Sequence, residues 1–304
     1  MSKQLKADGM ILLVTLGWGT SYYLTDISLT EMDPFTLNSY RFLGAFCVAA
    51  IICCRKLVNV TRETLRYSLI IGISLFFVYI GSTFGVKYTT LSNAAFLCSL
   101  TVVIVPILQR ILFKKKTSRK LLFILTMCTT GIALLTLGED FSINMANLKG
   151  DLLSMMTALF YAFELIMTEK AVSNEKVDAL QIGIFSLGVT GICNLALAFI
   201  VETPVLPQSA GVWGAVAFLS IFCTGVALIV QPIAQRFTSA EHVCVIYALE
   251  PVFAAIVAYL FAGEVLIPRA YFGAFLMFAA TILMELDFSS LQKLTKNITE
   301  DKNL

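Results

Sequence analysis

Basic residues in this chain cluster in every second gap between apolar stretches, and that alternation constrains the fold more than any other feature. Ten stretches stand out: 9–29, 34–54, 68–87, 93–113, 121–137, 151–168, 181–201, 212–236, 240–261 and 269–285. Of the 22 Lys and Arg, 18 lie in one set of gaps, from Lys3 and Lys6 through the run Lys114–Lys120 to Lys293, Lys296 and Lys302. The other gaps hold only Lys87, Lys149 and Arg269, and Arg41 lies inside a stretch. Insertion into a bilayer produces this bias, because Lys and Arg are retained on the cytoplasmic side. The expected fold is all-α and integral to the membrane, with ten transmembrane helices and both termini cytoplasmic.

Composition agrees. Hydrophobic residues make up 58% of the chain and charged residues 14%, whereas soluble domains run near 25% charged. A span needs about 20 apolar residues to cross roughly 30 Å of hydrocarbon. Ten of them use about two thirds of the 304 residues, leaving only short loops. Period-two alternation, the mark of a barrel strand, is absent. The first stretch is too long for a cleavable signal core and reads as a retained span. The eight cysteines sit in or at the ends of spans without a Cys-x-x-Cys pair, and there is one histidine. Neither a metal cage nor a cofactor is expected. The basic run 114–120 reads as a topogenic cluster between two spans and not as a nucleic-acid site.

Five stretches precede the 138–150 gap and five follow it. Thr89-Thr90-Leu91 opens the fourth and Thr238-Ser239-Ala240 the ninth; this shift of 149 places Leu100 on Leu249. Leu43-Gly44 in the second corresponds to Leu187-Gly188 in the seventh. An odd number of spans per unit forces two copies into opposite orientations, an architecture that holds a substrate near the midplane between the copies. The expected units are residues 1–138 and 148–288, each a five-helix repeat, with 289–304 a cytoplasmic tail.

Short motifs in the same order carry a resemblance. Gly17-Trp18-Gly19-Thr20, Arg41-Phe42, Ser92-Asn93-Ala94-Ala95-Phe96-Leu97, Leu249-Glu250-Pro251-Val252 and Gly263-Glu264 resemble the EamA type of the drug/metabolite transporter superfamily. The resemblance covers nearly the whole chain. It implies ten helices in two inverted five-helix repeats. It also implies export or exchange of small polar or amphipathic solutes across the bacterial cytoplasmic membrane. One departure stands out: Lys114-Lys115 follows the fourth stretch where Gly-Glu follows the ninth.

Polar residues within the spans mark candidate sites, since a charge at the bilayer centre costs at least ~2.5–3.5 kcal/mol. Arg41 sits about 10 Å deep at 1.5 Å per residue. It is either an anchor for a carboxylate or phosphate or a structural ion-pair partner. Glu250 lies near the midplane of the ninth stretch, directly before Pro251. The proline removes a donor from the helix, which is the discontinuous-helix mark of a membrane binding site. A carboxylate buried there suits a coupling proton, or a packing role. Glu164, about 9 Å from the cytoplasmic end of its stretch, is placed to pair with Arg41 or to face a cavity. His242, at the start of the ninth stretch, is a candidate for gating. Trp18, Tyr22, Asn38, Tyr79, Asn93, Tyr161, Gln231 and Tyr247 are candidate cavity walls. Gly81 and Gly85 form a small-xxx-small pair for close helix packing.

A secondary carrier working by alternating access fits these features best. Its partners would be the bilayer, a small solute such as an amino acid, and a proton as candidate coupling ion; a monomer and a homodimer both fit. No nucleotide-binding loop is present. The alternative is an integral membrane enzyme acting on lipid-linked substrates, for which one histidine and no paired Asp motif supply little chemistry.

Overall fold

The computed structural model describes residues 3–89, 91–136, 147–262 and 268–285. They are helical throughout, with no strand among the described residues. The helices are α1 (Lys3–Ser28), α2 (Pro34–Ile52), α3 (Arg62–Tyr88), α4 (Leu91–Ser99), α5 (Thr101–Phe113), α6 (Arg119–Thr136) and α7 (Leu148–Val172). After them come α8 (Ala179–Val201), α9 (Ala210–Phe218), α10 (Ala227–Gln235), α11 (Ala240–Tyr247), α12 (Glu250–Val257) and α13 (Pro268–Glu285). A π-helical stretch, Leu219–Val226, joins α9 to α10.

Local sequence sets these boundaries. Thr61, Asp178, Ser209 and Ser239 cap α3, α8, α9 and α11, each side-chain oxygen accepting from the backbone N–H three residues on. That satisfies one otherwise orphaned donor per helix. Pro34 opens α2 at the position where its missing N–H is harmless.

Seven helical runs among the described residues are long and apolar enough to cross a membrane. They are Pro34–Ile52, Arg62–Tyr88, Ala94–Phe113, Leu148–Val172, Ala179–Val201, Ala210–Gln235 and Ala240–Phe261. Ten were expected. α1, α6 and α13 are not among the seven: α1 is diluted by the polar run 17–23, α6 opens on Arg119-Lys120, and the apolar part of α13, Pro268–Met284, is shorter.

Burial is inverted relative to a water-soluble protein. Leu13, Ile51, Ile52, Phe199, Ile200 and Phe261 are exposed, whereas Asn38, Arg41, Glu164, Asn194 and Gln231 are buried. An apolar exterior around an apolar core that also holds buried polar side chains fits a lipid solvent.

The halves interlock. α3 runs along α7 and α8, α2 along α8, α6 along α13, and α1 along α10 and α12. Gly81 and Gly85 perform the close packing expected of them: a Cβ at Gly81 would collide with Thr157 and the Leu153 carbonyl, and one at Gly85 with Ser154. Without a hydrophobic drive between helices in lipid, such close approach and the hydrogen bonds it permits hold the bundle. Thr157 Oγ1 donates to the Val78 carbonyl at 3.0 Å and Thr190 Oγ1 to that of Gly72 at 2.8 Å.

Two helices are interrupted at the same relative point. Between α11 and α12 the chain turns at Ala248–Leu249, directly before Glu250-Pro251. Leu249 N–H donates to Ile246, and the Leu249 carbonyl accepts from Val252 and Phe253. Between α4 and α5, Leu100 N–H donates to Leu97, and the Leu100 carbonyl accepts from Val103 and Ile104. The two patterns are identical, residue for residue, at the shift of 149. No proline directly follows Leu100; the next is Pro106, inside α5. There Thr101 Oγ1 donates back to the Cys98 carbonyl at 2.7 Å, a local bond that competes with the helix ladder.

Candidate functional site: a central cavity

The π-helical stretch 219–226 positions the two residues that open the site. Trp18 Nε1 donates to the Cys223 carbonyl at 2.6 Å, and Cys223 Sγ contacts the Gly17 carbonyl at 3.2 Å. Ser220 Oγ donates to the Arg41 carbonyl at 2.9 Å, and Arg41 Nε donates to Thr224 Oγ1. π-Helical turns frequently mark functional sites, since the wider turn redirects side chains and carbonyls. Here one such segment from the second half of the chain fixes both Trp18 and Arg41 from the first.

Arg41 is 3% exposed. Its guanidinium lies 4.7 Å from the centroid of the Tyr79 ring, and Tyr79 packs edge-on against Phe42 at 4.6 Å. Nη2 is buried with no hydrogen-bond partner among the described residues. No carboxylate pairs with Arg41 there, so the site holds a fixed cation with a donor unspent.

Across from it stands Glu250, at the first position of α12 after the break. Its carboxyl interacts with the Tyr22 hydroxyl and lies within electrostatic reach of Arg41. Between them is a narrow cavity with ≈ 60 Å³ of space for water centres. Trp18, Tyr22, Arg41, Tyr79, Tyr161, Tyr247 and Glu250, all expected from the sequence, line it. Three of these rings form a floor: Trp18 and Tyr247 are 4.8 Å apart, Trp18 and Tyr161 5.7 Å, and Tyr161 and Tyr247 stack at 5.7 Å and 15°.

The other expected residues lie elsewhere. Glu164 does not pair with Arg41. It sits behind the floor, 2% exposed, accepting from Thr168 Oγ1 at 2.7 Å and from Gln231 Nε2 at 3.0 and 2.8 Å. Gln231 in turn accepts from the Tyr247 hydroxyl at 3.2 Å. Asn38 ties α2 to α3: Nδ2 donates to the Tyr79 carbonyl at 3.2 Å and Oδ1 accepts from Thr83 at 3.0 Å. His242 belongs to the α11 cap with Ser239, at 3.3 Å from its hydroxyl, and sits among Asp8, Lys115, Lys120 and Glu241. Asn93 lies in α4, but its side chain falls outside the described residues, as do Gly263 and Glu264.

Several lining residues escaped the sequence reading: Ser21, Thr25, Cys98, Thr101 and Thr157. Thr101 had a signal. The shift of 149 that matches Leu100 to Leu249 places Thr101 on Glu250, so the two broken helices present corresponding polar residues to one cavity. Thr224, the acceptor for Arg41, had none, since it lies 183 residues away in sequence.

Known proteins match most of the chain. One solved structure superposes with a TM-score of 0.77 at 17% identity, over 92% of this chain and 96% of that one, a likeness of fold alone. An uncharacterized transporter of Archaeoglobus fulgidus is 30% identical over 288 residues, which is 93% of this chain and 87% of that protein. The uncharacterized transporter YyaM of Bacillus subtilis is 23% identical over 84% of this chain and 86% of its own length. The EamA-like transporter family model matches twice, at residues 5–137 and 148–286. With both halves matched, the chain belongs to the EamA-like transporter family.

Proposed function

We propose that this membrane transporter is a secondary carrier that exports or exchanges small amphipathic metabolites, amino acids among them, by alternating access. The observation that carries the reading is the central cavity: an unspent arginine donor and a glutamate face one space above a floor of aromatic rings. Arg41 offers a planar fork to a carboxylate, Glu250 a counter-charge to an ammonium group, and the rings an apolar bed for the remainder.

Ten spans in two inverted repeats, residues 1–138 and 148–288, provide the moving parts in this reading, with 289–304 as a cytoplasmic tail. The twofold family match supports the division. So do the identical breaks at Leu100 and Leu249, since broken helices at the midplane are where such carriers hold their cargo. α1 ends at Ser28 and α3 at Tyr88, beside gaps poor in Lys and Arg, which the charge bias assigns to the exterior of the cytoplasmic membrane. Thr25 and Val86 line the cavity near those ends, so this conformation is read as open outward and closed inward by the aromatic floor. A comparison of extracellular and intracellular metabolites in cells with and without the protein tests the reading. A solute whose distribution changes only with the active protein supports it. Unchanged solutes with an altered lipid-linked product would favour the enzyme instead.

A further inference from the structure

We propose that Glu164, Gln231 and Tyr247 form a proton-set polarity switch, in which a proton on Glu164 turns the Tyr247 hydroxyl into a donor toward the cavity. For its use in transport this rests on the carrier reading; as a property of the protein it stands alone. Glu164 is buried in α7, and its hydrogen-bond partners, Thr168 and Gln231, are both neutral. The titratable groups that face it are phenols: Tyr79 of α3, Tyr247 of α11 and Tyr161 of its own helix. α10 contributes Gln231, an amide. Among the described residues no Lys, Arg or His forms an ion pair with it. A carboxylate in such a place calls for a countercharge, and a proton is the one that fits without opening the bundle.

The hydrogen-bond directions make the consequence specific. An ionised carboxylate only accepts, so Gln231 must present Nε2 to it and Oε1 to Tyr247, whose hydroxyl must then donate inward. When Glu164 takes a proton from water, its new O–H donates. The Gln231 amide turns over to accept it and gives up its 3.4 Å bond to Gln235 Oε1; Nε2 then faces Tyr247, and the tyrosine oxygen becomes the acceptor. The Tyr247 hydrogen is released toward the cavity that its ring lines. One proton is bound, no covalent bond other than O–H forms, and a donor appears where a solute carboxylate would lie. Glu250 differs, because it lines the cavity and lies within electrostatic reach of Arg41. The two carboxylates thus divide the work: Glu250 faces the solute, and Glu164 sets the floor beneath it.

Trp18, 4.8 Å from Tyr247, reports on that floor. The chain has two tryptophans, so a Trp213→Phe background isolates its fluorescence. A pH titration in lipid nanodiscs should show a transition that Glu164→Gln and Gln231→Leu each abolish and Glu250→Gln retains. Infrared difference spectra should lose one protonated-carboxyl band in Glu164→Gln. Gln231→Leu keeps the carboxyl and breaks the link, which covers the case in which Glu164→Gln does not fold. A transition that persists in both variants, or none in the background protein, overturns the switch. Flux of a labelled amino-acid mixture in liposomes is scored separately, so a switch without flux sinks the carrier reading and leaves this inference standing.

Discussion

At the residue scale, the site depends on which groups have spent their hydrogen bonds. Arg41 uses Nε on Thr224 and rests on Tyr79, which holds the guanidinium still while leaving Nη2 unspent. Lysine would keep the charge but lose the fork and the stacking. Arg41→Lys is therefore expected to weaken binding of carboxylate-bearing solutes by about 1.5–3 kcal/mol, roughly tenfold to a hundredfold. Isothermal titration on the purified variant checks this, with insertion unchanged. Equal affinities for wild type and variant would make Arg41 a structural residue. The inward placement of Arg41, Glu250 and Glu164 was legible in the sequence, because charge in an apolar stretch is costly wherever it falls. Their partners were not. Gln231 is 67 residues from Glu164, and nothing local distinguishes it from other glutamines.

At the element scale, close packing and end-capping carry the structure. α3 and α7 approach where Gly81 meets the Leu153 carbonyl, so a side chain there forces the helices apart. Gly81→Leu is expected to destabilise the protein by about 1–3 kcal/mol, read as a lowered melting temperature in detergent. Beyond the helix ends, two carboxylates cap helices of the opposite half. Glu202 accepts from Phe35 N, Thr36 N and Thr36 Oγ1 at 2.8–2.9 Å, and Glu31 accepts from Gln208 N and Ser209 N at 2.7 and 3.1 Å. Donors from Ser209 and Gln208 hold the Glu31 carboxyl below the usual carboxylate range. A lowered folded-state value means that the tie is fully present above the ordinary carboxylate pKa and is lost as pH falls through the lowered one. The protection of the Gln208 and Ser209 amides, taken relative to the intrinsic exchange rate at each pH, should accordingly fall on acidification, and Glu31→Gln should lack that protection at every pH. The glycine packing could be read from sequence spacing. The break at Leu100 could not, because it arises from a threonine back-bond and not from a proline. The π-helical stretch between α9 and α10 holds no proline, and its one glycine, Gly225, did not mark it out in the sequence.

For the whole molecule, the alternating charges and continuous apolar runs specified the helices and their order, because lipid leaves the backbone no other solution. What they could not specify was which faces turn inward. That depended on contacts between halves, such as Trp18 with Cys223 and Arg41 with Thr224. The same contacts place the cavity between the halves, where rocking one against the other would expose it to each side in turn. If the cavity opens outward, a single cysteine at Ser21 or Ser82 in a cysteine-free background should react with an impermeant thiol reagent added outside. Added inside, the reagent should leave both unmodified in this conformation. The most direct test is counterflow in proteoliposomes loaded with unlabelled amino acids and diluted into the labelled mixture. Wild type is expected to accumulate label transiently, with Glu250→Gln reduced at least tenfold. No accumulation of any solute by correctly folded wild type would contradict the carrier.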